Sequence, residues 1–157
     1  MSTDLTDLQY AYGYALDDRD ADALGAVFDP DYAYRIFAPG AAEPLARISE
    51  HDAFARMIRM MTERYTRTMH AMSNPLNAVD PSAPERATGR VYCVAHHVIA
   101  DEEPARTFVV YVRYDDEFRR GTDAVWRILR RDVHFLWFED GNAPVAWEVA
   151  AQRGRLV

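Results

Sequence analysis

The chain has 157 residues, of which 49% are hydrophobic and 27% are charged, an ordinary balance for a globular protein. Domains typically contain about 100–150 residues, and we therefore predict a single domain that spans residues 1–157. The net charge of -7 would repel a phosphate backbone, which argues against a nucleic-acid partner. No apolar run reaches the roughly 20 residues of a membrane-spanning helix, and no secretory signal pattern opens the sequence. We expect a cytoplasmic protein without a membrane partner.

The first part of the chain is predicted to hold three helices and one strand. Apolar side chains recur at three- and four-residue spacing in the first helix: Leu5, Leu8, Tyr12 and Leu16. Asp20 is suited to cap a second helix over residues 21–28, and strand-forming residues fill 32–37. Ser49, with an acidic residue three positions later, predicts the start of a third helix over about 50–63.

Strand patterns dominate the rest of the chain. Runs of strand-forming residues lie near residues 66–73, 86–100, 105–117 and 124–139. Turn-forming residues separate them: Asn74-Pro75, Pro81 to Pro84, Glu102 to Pro104 and Gly121-Thr122. Helices followed by long antiparallel strands are typical of an α+β domain, and helices on the concave side of a twisted sheet leave a cavity between the two layers. The segment after about residue 142 has no clear pattern.

Asp17 lies at the end of the first predicted helix. A helical wheel places Tyr10 and Tyr14 within about 60° of it, because each residue advances roughly 100°. A carboxylate that shares its face with tyrosines is a candidate for chemistry. The alternative is that Asp17 is one of three acids in a solvated elbow between two helices.

Two histidines on the predicted strands are candidates as well. Alternation places Thr68, His70 and Met72 on one strand face. A carboxylate hydrogen-bonded to one imidazole nitrogen would fix the tautomer of His70 and raise the basicity of the other nitrogen, whereas a lone strand histidine is more often structural. His97 shares its face with small and apolar residues, which favours a pocket wall, while His96 would point outward.

Metal and nucleotide sites find little support in the sequence. Asp17, His70 and His97 could formally provide two histidines and one carboxylate, but no HxxxH or HxH pair accompanies them, and we expect no metal. Cys93 is the only cysteine, so no internal disulfide and no cysteine zinc site are expected. Motifs of the GxSxG, P-loop and GxGxxG types are missing as well.

Arg131 lies on a predicted inward face of the last strand. Alternation groups it with Val133 and Phe135. It is a candidate clamp for a substrate anion, and the alternative is a salt bridge at a sheet edge or a subunit interface.

Four segments together carry a family resemblance: YGYALDDRDADALGAVFDPD, TMHAMSN, RATGRVYCVAHHV and VWRILRRDVHF. Over about residues 5–138 the chain resembles the polyketide-cyclase-like branch of the nuclear transport factor two-like superfamily. The resemblance implies a cone-shaped α+β barrel, in which a strongly curved, mostly antiparallel sheet wraps around N-terminal helices and encloses a pocket. In scytalone dehydratase and hexachlorocyclohexane dehydrochlorinase of this branch, an Asp-His pair performs elimination without a metal or an organic cofactor. Asp17 and His70 match that pair in position and order, so no cofactor is expected.

The same resemblance bears on further pocket residues. His97 is similar to the second pocket histidine of scytalone dehydratase, and Tyr12 is similar to a tyrosine of bile-acid 7α-dehydratase. The helical wheel instead favours Tyr14 or Tyr10, so both Tyr12 and Tyr14 remain candidates for substrate binding. Leu16 and Ile36 stand where scytalone dehydratase has its two water-activating tyrosines, which argues against scytalone as the substrate. Tyr34, on the same strand face as Ile36, is a candidate replacement.

The resemblance favours a cofactor-independent lyase or isomerase that acts on a small apolar cyclic substrate with a carbonyl, hydroxyl or halide group. His70 would be the base and Asp17 its partner, while a tyrosine with His97 would polarise the carbonyl or protonate the leaving group. Two alternatives remain: a non-catalytic small-molecule-binding protein or accessory subunit with the same pocket, and a structural oligomerisation module. Similar proteins form dimers or trimers, which implies a homo-oligomer, either a trimer or a dimer.

Overall fold

The computed structural model describes residues 4–50, 52–99 and 106–142. Within these ranges the chain forms three helices and one six-stranded sheet. The helices are α1 (Leu5–Asp17), α2 (Ala21–Val27) and α3 (Ala53–Arg64). The strands are β1 (Phe28–Phe37), β2 (Ala46–Ile48), β3 (Arg67–Asp80), β4 (Ala83–Ile99), β5 (Arg106–Arg120) and β6 (Trp126–Asn142). The predicted break at Glu102 to Pro104 and the segment after residue 142 lie outside the described residues.

One antiparallel meander builds most of the sheet. The strand order is β2-β1-β6-β5-β4-β3, so the strands from β3 to β6 are neighbours in sequence and in space. Adjacent strands of this meander are antiparallel, whereas β1 lies parallel to β6 and pairs with the short strand β2 on its other side. The predicted α+β class and the mostly antiparallel sheet are therefore confirmed.

Helix α1 lies against the edge strand β3 at very short range. At Gly13 a Cβ atom would lie 3.2 Å from the carbonyl oxygen of His70 and 3.3 Å from Cγ of Met72. Because both distances are tighter than ordinary van der Waals contacts, only glycine permits this approach without displacing its neighbours. The close contact brings the last residue of α1, Asp17, next to His70.

Asp20 caps α2, as the sequence predicted. Its side chain accepts a hydrogen bond from the backbone N–H of Ala23 at 2.8 Å. The helix ends at Val27, and Phe28 already belongs to β1. The strand predicted over 32–37 is thus the second part of a longer strand.

The predicted start of the third helix is wrong by about one turn. Helix α3 begins at Ala53, and its N-cap residue is Asp52 instead of Ser49. Residues 46–48 form the unpredicted strand β2, whose pairing with β1 keeps this stretch extended. A strand of three residues is too short to leave a periodic pattern in the sequence.

The predicted break at Asn74-Pro75 is a β-bulge inside β3. The strand runs through both residues, and its register against β4 shifts between Ser73 and Leu76. Asn74 has a φ of 54°, a left-handed conformation that asparagine tolerates. Pro75 lies in the unpaired part of the ladder, where its missing N–H costs no strand hydrogen bond. Turn-forming residues therefore bend this strand instead of ending it.

The core lies between the helices and the inner face of the sheet. Buried helical side chains include Leu8, Tyr12, Leu16, Leu24 and Val27. Buried side chains of the facing strands include Val91, Cys93, Val112, Tyr114, Ile128 and Val133. In the described part of the chain, no helix has the length and apolar character required to cross a membrane.

Candidate active site

Asp17 and His70 form a hydrogen-bonded pair where α1 meets β3. The Nδ1–H of His70 donates to Oδ1 of Asp17 at 2.7 Å, and the backbone N–H of His70 donates to Oδ2 at 2.8 Å. Thr68, two positions earlier on the same strand face, donates its hydroxyl to Oδ1 at 2.8 Å. Donors from a single strand thus hold both oxygens of the carboxylate.

These contacts determine the charge of Asp17 and the tautomer of His70. The side chain of His70 is 6% exposed and that of Asp17 is 22% exposed. Burial raises the pKa of Asp17, but hydrogen bonds from the ring and backbone of His70 and from Thr68 outweigh it and bring the pKa below its ordinary value. An ionised carboxylate only accepts hydrogen bonds, so neutral His70 keeps its ring proton on Nδ1. Nε2 of His70 therefore carries the lone pair that a general base needs.

His97 lies beside His70 on the inner face of β4. The centroids of the two rings are 5.6 Å apart, and the ring planes are nearly perpendicular. The Nδ1–H of His97 donates to the backbone carbonyl of Phe108 at 3.2 Å. Burial, together with the neighbouring His70, lowers the pKa of His97 to about 4. His97 is therefore neutral at neutral pH, and its Nε2 can only accept a hydrogen bond.

Tyr12 and Tyr14 lie on different sides of α1. Tyr12 is 1% exposed, and its hydroxyl oxygen lies 2.8 Å from that of Tyr34, which is also buried. Burial raises the pKa of both phenols, so both are neutral. Tyr14 is 72% exposed and lies at the surface. The hydroxyl pair of the interior is therefore formed by Tyr12 and Tyr34.

A groove of about 460 Å³ follows the outside of the seam between α1 and β3. One face of α1 and four consecutive residues of β3 line it: Tyr10, Tyr14, Asp17, Met69, His70, Ala71 and Met72. The helical wheel grouped Tyr10 and Tyr14 with Asp17, and this outer groove is the surface that they share. Asp17 and His70 both line the groove, and the Asp17 carboxylate also contacts the ring of His70.

Arg131 forms a salt bridge inside the core. Its Nε and Nη2 donate to the two carboxylate oxygens of Asp116 at 2.7 and 2.8 Å, and both side chains are completely buried. The guanidinium lies 4.2 Å from the ring centroid of Tyr12 and 4.5 Å from that of Tyr114. Asp116 also accepts a hydrogen bond from Nε2 of Gln9 at 3.0 Å. The expectation of a salt bridge at a sheet edge or an interface is therefore wrong about its location, since the core encloses the pair.

Apolar side chains surround the inner histidine. The ring centroid of Tyr65 lies 4.5 Å from that of His97, and the centroid of Phe108 lies 6.2 Å from it. Several apolar residues packed against the core keep partial exposure: Ile36, Ile48, Met57, Tyr65, Phe108 and Phe135. These side chains extend the apolar core without being fully buried.

Asp17, His70 and His97, the three residues that formally suit a metal, already form hydrogen bonds within the protein. His70 uses Nδ1 on Asp17, and His97 uses Nδ1 on the carbonyl of Phe108. Among the residues that the structure describes, no group of three or more His, Cys, Asp or Glu side chains is arranged to hold a metal ion.

Sequence reasoning missed two residues that support the site. Thr68 shares the strand face of His70, but a threonine next to a histidine gives no signal of its own. Asp116 stands opposite Arg131 in the pairing of β5 with β6. Only knowledge of this register would have identified the aspartate as the partner of the buried arginine.

Several solved structures share this fold at low sequence identity. A candidate scytalone dehydratase from Novosphingobium aromaticivorans is 22% identical, with a TM-score of 0.71 and coverage of 90% of this chain and 88% of that chain. A candidate aromatic ring hydroxylase from the same organism is 25% identical, with a TM-score of 0.69 and coverage of 88% of this chain and 90% of that chain. The LinA-type3 hexachlorocyclohexane dehydrochlorinase from Novosphingobium barchaimii is 14% identical, with a TM-score of 0.71 and coverage of 90% and 92%. These similarities confirm the predicted fold.

A comparison with curated proteins finds no match. The SnoaL-like domain family matches residues 2–132, which is most of the chain. This match and the shared fold confirm the resemblance that the four sequence segments indicated. The chain belongs to the SnoaL-like domain family.

Proposed function

We propose that the protein is a cofactor-independent lyase, or an isomerase of related chemistry, in which His70 is the general base and Asp17 its partner. The observation that carries this proposal is the 2.7 Å hydrogen bond from His70 Nδ1–H to the ionised carboxylate. It leaves Nε2 free to accept a proton and puts a negative charge beside the imidazolium that would form. The family and the fold shared with a dehydrochlorinase and a candidate dehydratase support the same reaction class.

In the proposed elimination, Nε2 of His70 takes a proton from a carbon atom of the substrate. The electron pair of the broken C–H bond forms the C=C bond, and the leaving group departs from the adjacent carbon with its own electron pair. A halide leaves as the anion, whereas a hydroxyl group leaves as water when the imidazolium or a tyrosine donates a proton to its oxygen as the C–O bond breaks. In an isomerisation the imidazolium returns the proton to a different carbon. A positioned base of this kind contributes roughly 10²–10⁴-fold to the rate.

His97, Tyr12 and Tyr34 are the proposed substrate contacts. His97 accepts a hydrogen bond from a substrate hydroxyl through Nε2, because its Nδ1–H is taken by a backbone carbonyl and its ring is neutral. This role replaces that of a proton donor, which the resemblance had suggested. The hydroxyl pair of Tyr12 and Tyr34 supplies the donor for a carbonyl or a leaving group. The scheme does not need Tyr14, which lines the outer groove, or Arg131, which lies against the ring of Tyr12.

The proposed substrate is a small apolar ring with a halide, hydroxyl or carbonyl group. Apolar side chains near His97, among them Tyr65 and Phe108, suit a hydrocarbon skeleton. The few polar groups nearby would fix its orientation. A leaving group or carbonyl next to an acidic C–H bond is the feature that His70 requires.

A turnover assay on the purified protein tests the proposal. Hexachlorocyclohexane, followed by chloride release, and hydroxylated cyclic ketones, followed by loss of water, make up the substrate panel. We expect turnover of at least one compound, and His70→Ala should lower kcat by roughly 10²–10⁴-fold with an unchanged far-UV spectrum. Compounds that bind without conversion would overturn the proposal in favour of a small-molecule-binding protein. A His70→Ala variant as active as wild type would rule out His70 as the base.

We also propose a cytoplasmic homo-oligomer, a trimer or a dimer, that associates through the outer face of the sheet. The rings of Tyr111 and Trp137 stack there at 4.4 Å between centroids, and Trp137 is 51% exposed. Tyr92 on the neighbouring strand is exposed on the same face. Clustered exposed aromatic side chains are typical of interfaces. Sedimentation velocity should give a dimer or trimer for wild type and a smaller species for Trp137→Ser, and a monomeric wild type would contradict the proposal.

A further inference from the structure

Thr68 connects Asp17 to the turn that follows α1. Its hydroxyl donates to Oδ1 of Asp17 at 2.8 Å and accepts from Nη1 of Arg19 at 2.8 Å. The same Nη1 donates to the carbonyl oxygen of Leu16 at 2.7 Å. Since Arg19 donates to the hydroxyl oxygen, the single hydroxyl proton of Thr68 is directed at the carboxylate. We refer to these contacts of Arg19 and Thr68 as the Arg19–Thr68 link.

Arg19 has a backbone conformation that usually belongs to glycine. Its φ is 61°, in the left-handed region. Its N–H donates to Leu16 O at 3.3 Å and the N–H of Asp20 donates to Ala15 O at 3.0 Å, which is the pattern of a Schellman motif. The left-handed position of this motif is most often glycine, because a residue with a Cβ atom is strained there. The strain points to a role for the guanidinium that a glycine could not fulfil.

We propose that Arg19 and Thr68 are positioning residues that hold the Asp17 carboxylate against His70. The inference rests on the proposed function, because it assigns both residues to the same base. Asp17 borders the outer groove, and a rotated carboxylate would turn an oxygen away from His70 toward water. Thr68 opposes that rotation because it donates to the oxygen that also accepts the Nδ1–H of His70.

The link also acts on the charge of the carboxylate. The guanidinium is a permanent cation, and a hydroxyl that accepts from a cation is a stronger donor. The hydrogen bond from Thr68 is one of the contacts that lower the pKa of Asp17. Thr68 therefore favours the ionised carboxylate that keeps the proton of His70 on Nδ1.

A purely structural role would have different consequences. Arg19 would then only end α1, and Thr68 would only tie β3 to the helix. Replacing either residue would change the stability of the protein, but the titration of Asp17 and the Nδ1 proton of His70 would stay as they are. NMR spectroscopy separates the two roles without any substrate.

The test compares the full chain with Thr68→Val, Thr68→Ser, Arg19→Asn and Asp17→Asn. Valine matches the shape of threonine without its hydroxyl, whereas serine keeps the hydroxyl. Asparagine tolerates the left-handed conformation, so Arg19→Asn removes the guanidinium and preserves the turn. Carbon-13 NMR follows the carboxyl group of Asp17 through a pH titration, and proton NMR observes the Nδ1 proton of His70.

Thr68→Val and Arg19→Asn should raise the pKa of Asp17 and shift or broaden the Nδ1 proton of His70, while Thr68→Ser should stay close to wild type. On a compound that the turnover panel identifies, Thr68→Val should lower kcat by up to about 10²-fold with KM nearly unchanged, because orientation is lost and binding is not. An Asp17 titration and a His70 proton that do not change in Thr68→Val would overturn the inference. If the Asp17 titration and the His70 Nδ1 signal change in Thr68→Val, but Asp17→Asn turns over substrate as fast as wild type, the Arg19–Thr68 link is supported. The proposed catalytic role of the Asp17–His70 pair is then wrong.

Discussion

The rings of His70 and His97 meet edge to face, with their centroids 5.6 Å apart. Burial and the proximity of His70 disfavour a positive charge on His97 and lower its pKa to about 4. Of the two rings, that of His70 hydrogen-bonds to the carboxylate of Asp17. The two histidines therefore differ in charge behaviour: a carboxylate is in place to stabilise protonated His70, whereas His97 stays neutral.

Stability should fall as the pH decreases from 6.5 toward 4. His97 has its ordinary pKa of 6.5 in the unfolded chain and a pKa of about 4 in the folded protein, so the unfolded state binds more protons in this interval. The contribution of neutral His97 to the free energy of unfolding is fully present above pH 6.5, its pKa in the unfolded chain. This contribution is lost as the pH falls toward 4, and the loss amounts to up to about 3 kcal/mol. Urea unfolding at several pH values across the interval measures this loss.

His97→Gln should flatten this pH dependence, because glutamine does not titrate. His134 offers a matched control, since burial lowers its pKa as well but its side chain is more exposed. His134→Gln should therefore change the pH dependence much less than His97→Gln. Equal slopes for wild type and His97→Gln would contradict the assignment of the effect to His97.

Gly13→Ala should disturb the site even though alanine is the better helix residue. At an open helical position this change stabilises a protein by about 1 kcal/mol. At Gly13 the new Cβ would meet the carbonyl oxygen of His70 at 3.2 Å and Cγ of Met72 at 3.3 Å, and it would move α1 away from β3. We expect a weakened hydrogen bond between Asp17 and His70, seen as a shift of the Nδ1 proton, and little or no gain in Tm.

Gly25→Ala is the matched control for this substitution. Gly25 lies in α2, and, apart from its own helix backbone and chain neighbours, no atom of the described residues lies within 4 Å of a Cβ at this position. Gly25→Ala should stabilise the protein by about 0.5–1 kcal/mol and leave the spectrum of His70 unchanged. Equal gains in Tm for Gly13→Ala and Gly25→Ala would contradict the close packing of α1 against β3 at Gly13.

Asp115 and Asp116 should respond very differently to the same substitution. Asp116 pairs with Arg131 in the core, whereas Asp115 pairs with Arg90 on the partly exposed outer face. Asp116→Asn leaves the buried guanidinium without a counter-charge and should cost about 3–5 kcal/mol. Asp115→Asn should cost about 1 kcal/mol or less. Chemical denaturation measures both losses, and similar values would contradict the burial of the Asp116–Arg131 pair.

Cys93 should resist alkylation in the folded protein. Its side chain is buried, and burial raises the pKa of the thiol to about 12, so little of the reactive thiolate is present near neutral pH. Mass spectrometry after treatment with iodoacetamide should find label only when urea has unfolded the chain. Rapid labelling in buffer alone would show that β4 opens without global unfolding.

Local spacing singled out Asp17 and His70 one at a time, and the family resemblance joined them as a pair. Alternation along β3 grouped Thr68 with His70, and the helical pattern ended near Asp17, because each signal depends on the period of a single element. The partner of Arg131 escaped sequence analysis for the opposite reason. Asp116 meets it through the register between β5 and β6, which β-bulges shift.

The choice between Tyr12 and Tyr14 also lay beyond local spacing. A helical wheel gives the angles of side chains around the axis, but it does not say which angle faces the sheet. The contact of Gly13 with β3 fixes that rotation, and it leaves Tyr12 buried and Tyr14 exposed. Only the family resemblance had favoured Tyr12, because it carried three-dimensional information that a single sequence lacks.

The hydrogen bond from the backbone N–H of His70 to Asp17 also protects the border of the sheet. Among the strands of the described residues β3 is the last in the sheet order, and this N–H points away from its neighbour β4 toward Asp17. Unpaired groups on an edge strand attract strands of other molecules and promote aggregation. Asp17→Ala would therefore free an edge donor in addition to removing the partner of His70, whereas Asp17→Asn keeps an acceptor oxygen on the side chain. The same carboxylate thus occupies an edge donor of the sheet and takes part in the proposed chemistry.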